Sequence, residues 1–150
     1  MITYQTMDYA DIPAVISLGS LMHQESRYSQ WPYDEDYCSD IADRVINEPD
    51  NFYSNIAKEN NEILGMMFGM RTRPPFCKAD IATDLLLYVH PEKRNGSMAV
   101  RLIKGYERWA RYQNLSGIQI GVTTNINPER TAKFYNRLGY SYSGYLMTKD

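Results

Sequence analysis

Cysteine and histidine are scarce in this 150-residue chain: Cys38, Cys77, His23 and His90 are all there are, with no CxxC spacing. A disulfide framework or a zinc site needs more ligands at closer spacing, so no metal is expected, and the two thiols fit a reducing, cytoplasmic setting. No apolar run approaches the roughly 20 residues of a membrane span. The start, MITYQTMDYADIP, has neither the basic residues nor the apolar stretch of a secretory leader. Internal repeats, low-complexity tracts and Gly/Ser/Pro-rich linkers are missing too. One domain over residues 1–150 is the expectation, long enough to bury a real core. Neither a GxGxxG nor a GxxxxGK[ST] phosphate loop occurs. Ser20 and Ser97, the serines a hydrolase could pair with His23, lack the nucleophile-elbow pattern.

What the chain does have is tyrosine, 13 residues against 4 Phe and 2 Trp, and a charge asymmetry hidden under a net −2. Residues 1–62 carry 12 acids and 3 bases, a balance of −9, whereas residues 63–150 carry 6 acids and 13 bases, a balance of +7. Such halves can serve two unlike ligands, or they can attract each other within the fold.

Patterning gives a mixed α/β order. A strand is predicted at Ile2–Thr6, then a helix capped by Asp8 or Asp11 whose apolar stripe is Ile12, Val15, Ile16, Gly19 and Met22. His23–Tyr37 reads as an irregular connection and Tyr37–Asn47 as a short helix. Phe52–Lys58 and Ile63–Arg71 read as a hairpin around Glu59-Asn60-Asn61-Glu62, with a bulge or close approach at Gly65 and Gly69. Ala79–Val89 builds into Leu85-Leu86-Leu87-Tyr88-Val89, the pattern of a buried central strand. Ser97 is placed to cap a helix striped by Ala99, Leu102, Ile103, Tyr106 and Trp109. Ile118–Thr123 reads as a strand, Glu129–Leu138 as a helix between Asn127-Pro128 and Gly139, and Tyr142–Thr148 as a last strand.

The chemistry concentrates at 85–112, where a strand runs through HPEKRNGSMA directly into an amphipathic helix. Turn amides and the positive end of the helix dipole form an anion pocket there, with Lys93 and Arg94 adding charge. A plain basic turn has the same composition. The acidic run Asp34, Glu35, Asp36, Asp40 and Asp43 suits a solvated helix start, or would draw a cationic ligand toward Tyr28, Trp31, Tyr33 and Tyr37. Arg101, Lys104, Arg108 and Arg111 share one helical face, which solvent, a phosphate or RNA could meet; the net negative charge argues against general nucleic-acid affinity.

Two stretches resemble the GNAT superfamily of acyl-CoA-dependent N-acetyltransferases. LLLYVHPEKRNGSMAVRL, Leu85–Leu102, is similar to the strand and V-x-P-x-x-[QR]-x-x-G-x-[GA] pyrophosphate loop of that family. TAKFYNRLGY, Thr131–Tyr140, is similar to its A-x-x-F-Y-x-x-x-G-[FY] helix. Small bacteriophage acetyltransferases are similar through MHQES as well. In the register set by Arg94, Ser97 stands at the first loop glycine and Ala99 at the last small residue; Gly96 comes one place early, and the asparagine near the last helix is displaced to Asn127.

The resemblance implies a mostly antiparallel sheet of six to seven strands flanked by about four helices, with a splay between the fourth and fifth strands. It implies acetyl-CoA as co-substrate, held by Leu87, Tyr88 and Val89 along the strand, by Arg94, Asn95, Gly96, Ser97, Met98 and Ala99 in the loop, and by Asn127 and Tyr135. A neutral amine attacks the thioester while a strand amide, that of Leu87, steadies the oxyanion, and Tyr135 protonates the departing thiolate. For the base that deprotonates the ammonium, Asp84 comes first and Glu25 and His23 second; Asp84 as a solvated strand end, and His23 and Glu25 as helix caps, are the structural alternatives. The acceptor is a small molecule, a protein amine or an aminoacyl-tRNA, and a homodimer is compatible with the short C-terminus. A non-catalytic module of the same fold, binding CoA or a protein partner, is the rival reading.

Overall fold

The computed structural model describes residues 1–149. Five strands and four α-helices alternate: β1 (Thr3–Gln5), α1 (Ile12–Glu25), α2 (Glu35–Asn47), β2 (Phe52–Glu59), β3 (Glu62–Thr72), β4 (Ile81–Val89), α3 (Met98–Tyr112), β5 (Gly117–Gln119) and α4 (Pro128–Arg137). Short 3₁₀ turns precede α1, follow it at Arg27–Gln30, and follow β4 at Pro91–Lys93. The strands lie in sequence order, antiparallel from β1 to β4, with β5 parallel to β4.

Local chemistry sets these boundaries. Asp8 and Asp11 make a reciprocal capping box ahead of α1, and the Asp34 carboxylate accepts the Tyr37 amide to start α2. Asn60 and Asn61 take the left-handed conformation, with φ of 52° and 65°, that closes the β2–β3 hairpin. Gly139 ends the α4 segment at φ 99°. Gly19 is required by proximity: a Cβ there would stand 2.7 Å from the hydroxyl of Tyr33, which donates to the Ile16 carbonyl.

Each sheet face buries its own core. Val15, Leu18, Ala42 and Val45 of α1 and α2 pack on Ile56, Met66, Phe68 and Tyr88. Met98, Leu102, Ile103, Tyr106 and Ala110 of α3, with Tyr135 of α4, pack on Tyr53, Met67, Ala82 and Val89. The result is a helix–sheet–helix sandwich.

Three expectations need correcting. The sheet has five strands among the described residues, not six or seven. Tyr142–Thr148 alternates like a strand but forms no ladder, and Tyr142, Tyr145, Leu146 and Met147 are 66, 89, 56 and 86% exposed. Periodicity predicts extension, but a strand also needs an available edge. The predicted Ile118–Thr123 strand shrinks to Gly117–Gln119, because β5 leaves β4 after three residues. For the same reason β4 is less buried than its apolar run predicts: Leu85 is 40% exposed. Leu85 is the extra residue of a bulge, since Gly69 faces Asp84 while Phe68 faces Leu86.

Asp11, almost fully buried, pairs with Lys58 across the sheet edge and accepts the Asp8 amide. Asp11→Ala leaves Lys58 part-buried and unpaired, and we expect it to destabilise the fold by about 3 kcal/mol in urea unfolding, with Lys58→Met costing less.

Candidate active site

Ladder pairing between β4 and β5 covers only Ile81–Thr83 against Gly117–Gln119, after which the strands part. Just past that point, Asp84 reaches across the gap to accept the Gly121 amide at 2.8 Å. Further out, β4 has no strand on that side. The His90 amide donates to Leu64 on β3, and backbone groups alternate along a strand. Tyr88 and Leu86 therefore present their amides to β3, while Leu87 and Val89 present theirs to the opening. The Val89 carbonyl confirms this direction, because it accepts from Arg94 Nε at 2.9 Å rather than from β3.

The β4–α3 loop delivers unpaired amides to the same opening. Ser97 occupies the N-cap of α3 but makes no side-chain cap bond, which corrects the expectation that its hydroxyl closes the helix. The first amide returned to the loop is that of Arg101, to the Ser97 carbonyl. The amides of Met98, Ala99 and Val100 precede it at the positive end of a 15-residue helix. Gly96 meets nothing closer than 3.8 Å around a would-be Cβ, so this stretch has room beside its backbone. Met98 is buried under β3, Ala99 packs at the core edge, and the Asn95 side chain accepts from Arg130 of α4 at 3.2 Å. Asn127 heads α4 in the left-handed conformation, φ 44°, without a side-chain cap bond. These loop atoms fit a diphosphate: unspent N–H donors, a free hydroxyl and flanking cations.

Asp84 faces a nest of phenols. Its charge raises the pKa of Tyr106, Tyr135 and Tyr140, all of which burial raises further. Burial pushes Asp84 itself up to about 6, against the pull of the Gly121 amide. Tyr106 donates to the Gln119 carbonyl at 2.7 Å and Tyr140 to Glu107 at 2.9 Å. Tyr135, 7% exposed, packs its ring between Phe134 and Tyr140. It stays a neutral O–H donor at physiological pH.

The other two candidate bases are engaged. Glu25 receives both terminal nitrogens of Arg94, at 2.9 and 2.6 Å, and the Tyr88 hydroxyl. Hydrogen bonding from Arg94 holds its carboxyl below the usual range, while burial and Glu25 push Tyr88 up to about 12. Arg94 also lies over the Tyr88 ring at 5.1 Å. His23 Nε2 is 2.7 Å from the Trp31 carbonyl, with its ring against Tyr33. The acidic run starts α2, and Arg101, Lys104, Arg108 and Arg111 are all exposed on α3. Sequence reasoning missed Gly121, Arg27 and Arg130, whose roles rest on pairings up to 96 residues apart.

The sequence profile of the acetyltransferase (GNAT) family matches residues 18–140. No curated protein matches the chain. Among solved structures, a predicted acetyltransferase with acetyl-CoA from Clostridium acetobutylicum superposes with a TM-score of 0.80 at 15% identity, covering 100% of this chain and 96% of that one. The aminoglycoside N-acetyltransferase AAC(6')-Iy bound to a CoA-linked bisubstrate analogue gives 0.79 at 16%, covering 100% and 97%. Ribosomal-protein-alanine N-acetyltransferase from Brucella melitensis biovar Abortus 2308 gives 0.72 at 15%, covering 100% of both chains. At these identities the likeness is one of fold. No helix among the described residues is long and apolar enough to cross a membrane, and no group of three or more His, Cys, Asp or Glu side chains among them could hold a metal ion.

The raised pKa of Asp84 has a thermodynamic sign. Protonation favours the folded state, so this group's contribution is full below about pH 4 and is lost as pH rises through about 6. Asp84→Asn keeps an acceptor for Gly121 without the charge. We expect it to unfold at higher denaturant than the parent at pH 8, by up to about 3 kcal/mol, with the difference vanishing near pH 4.

Proposed function

Because the chain belongs to the acetyltransferase (GNAT) family, we propose that it transfers the acetyl group of acetyl-CoA to a primary amine by direct attack in a ternary complex. The observation that carries this reading is the open edge of β4, where the Leu87 and Val89 backbone meets the uncapped start of α3 and the Asp84–Tyr135 pocket. An extended amide-bearing arm can pair with that edge, and its diphosphate can take the amides of residues 95–99. The bound co-substrate supplies an activated thioester.

Asp84 is the base: with a pKa near 6 it is ionised at neutral pH, and it draws the proton from the ammonium directly or through one water. The freed nitrogen forms the new C–N bond as the C–S bond breaks, the Leu87 amide holds the developing oxyanion, and the Tyr135 hydroxyl gives its proton to the leaving sulfur. Lys93 and Arg130 contribute positive potential near the phosphates, while Asp34, Glu35 and Asp36 contribute negative potential on the acceptor side. The acceptor is a small cationic amine, a protein amine or an aminoacyl-tRNA, which an acceptor panel read by thiol release separates.

A homodimer fits the same reading. Its support is the tail at 142–147, where four large apolar side chains are exposed on a backbone outside the sheet. Truncation after Gly139 is expected to convert a dimer to a monomer by light scattering.

Calorimetric titration with acetyl-CoA tests the function: no binding at millimolar ligand favours the non-catalytic module. Tyr135→Phe should lower kcat about a hundredfold with little change in co-substrate affinity. Wild-type kcat/KM should rise with pH through about 6, and Asp84→Asn should abolish that limb.

A further inference from the structure

We propose that residues 25–27 are a strap that sets the width of the opening between β4 and the chain beyond β5, with Glu25 and Arg27 as positioning residues. Each grips a different wall. On the β4 side, Glu25 takes both terminal nitrogens of Arg94, whose Nε is fixed to the Val89 carbonyl, and it also takes the Tyr88 hydroxyl. On the other side, the Arg27 amide donates to the Thr124 carbonyl at 2.8 Å and its Nε to the Thr123 carbonyl at 2.6 Å. Between them Ser26, 4% exposed, is locked to the end of α1. Its amide bonds the Met22 and His23 carbonyls, and its hydroxyl donates to His23 and accepts the Tyr28 amide.

Geometry makes this a spacer. The α-carbons of residues 25 and 27 can stand at most about 7 Å apart, so two walls fastened to them cannot separate freely. The strands themselves offer little restraint here, because their ladder has already ended at Thr83 and Gln119 and only the Asp84–Gly121 bond follows. Bidentate Arg–carboxylate pairing adds directional specificity even where partial exposure limits its strength; the two side chains are about one-third exposed. A carboxylate so engaged serves to hold the loop in place. Arg94, in turn, places the turn that leads to the amides of residues 95–99.

The proposal rests on the acetyl-CoA reading for its functional consequence but not for its structural test. In the full-length protein without ligand, amide hydrogen exchange is followed at Lys93 and Arg101 on one wall and at Arg27 and Gly121 on the other. Glu25→Ala should accelerate all four about tenfold while the β2–β3 amides keep their protection; Glu25→Gln, which preserves shape and one acceptor, should lie between. Arg27→Ala should do the same from the opposite side. Acceleration confined to Lys93 and Arg101, or none at all, overturns the strap, as does uniform acceleration that includes β2 and β3. Where wild-type protein binds acetyl-CoA, Glu25→Ala should raise its Kd about tenfold, and an unchanged Kd also overturns the proposal. Absence of wild-type binding sinks the acetyltransferase reading instead, and the exchange result then decides the strap alone.

Discussion

The site depends on a parallel pairing that stops after three residues. A parallel strand inside a sheet normally has its backbone groups satisfied on both edges. Where β5 withdraws, the residues of β4 beyond Thr83 keep one satisfied edge, toward β3, and turn the other toward a gap. The surrounding residues are arranged around that gap. Asp84 crosses it at its narrow end, Arg94 takes the Val89 carbonyl at its wide end, and α3 and α4 present their N-termini beside it.

The same gap accounts for the uneven electrostatics. Three tyrosines and the sheet remove water from around Asp84, so its ionisation is costly, whereas Glu25, at the rim, is held charged by Arg94. Two carboxylates within one cleft are thereby driven to opposite behaviour by desolvation in one case and by an ion pair in the other. The first is suited to exchanging protons and the second to anchoring.

Much of this was legible in the order of the residues, though unevenly. The Asn60-Asn61 turn, the proline-headed α4 and the Gly139 stop are local signals, and local signals fixed those elements to within a residue or two. The anion-binding turn was legible for the same reason, since strand, loop and helix are contiguous. The failures lie where partners are distant. Nothing within Tyr142–Thr148 reports whether an edge awaits it, and nothing near Glu25 reports that Arg94, 69 residues on, will neutralise it. The Leu85 run looked buried because apolar composition cannot reveal that a neighbouring strand turns away.

The bulge at Leu85 changes the phase of β4. Upstream, Ala82 and Asp84 look toward α3; downstream, Leu87 and Val89 do so, while Leu86 and Tyr88 look toward α1 and α2. One inserted residue thus lets a single strand address the same layer with even-numbered side chains before it and odd-numbered ones after it. Evolution can trade side chains along this strand freely in kind, but its length is held to a parity: losing Leu85 alone would turn Tyr88 and Val89 inside out.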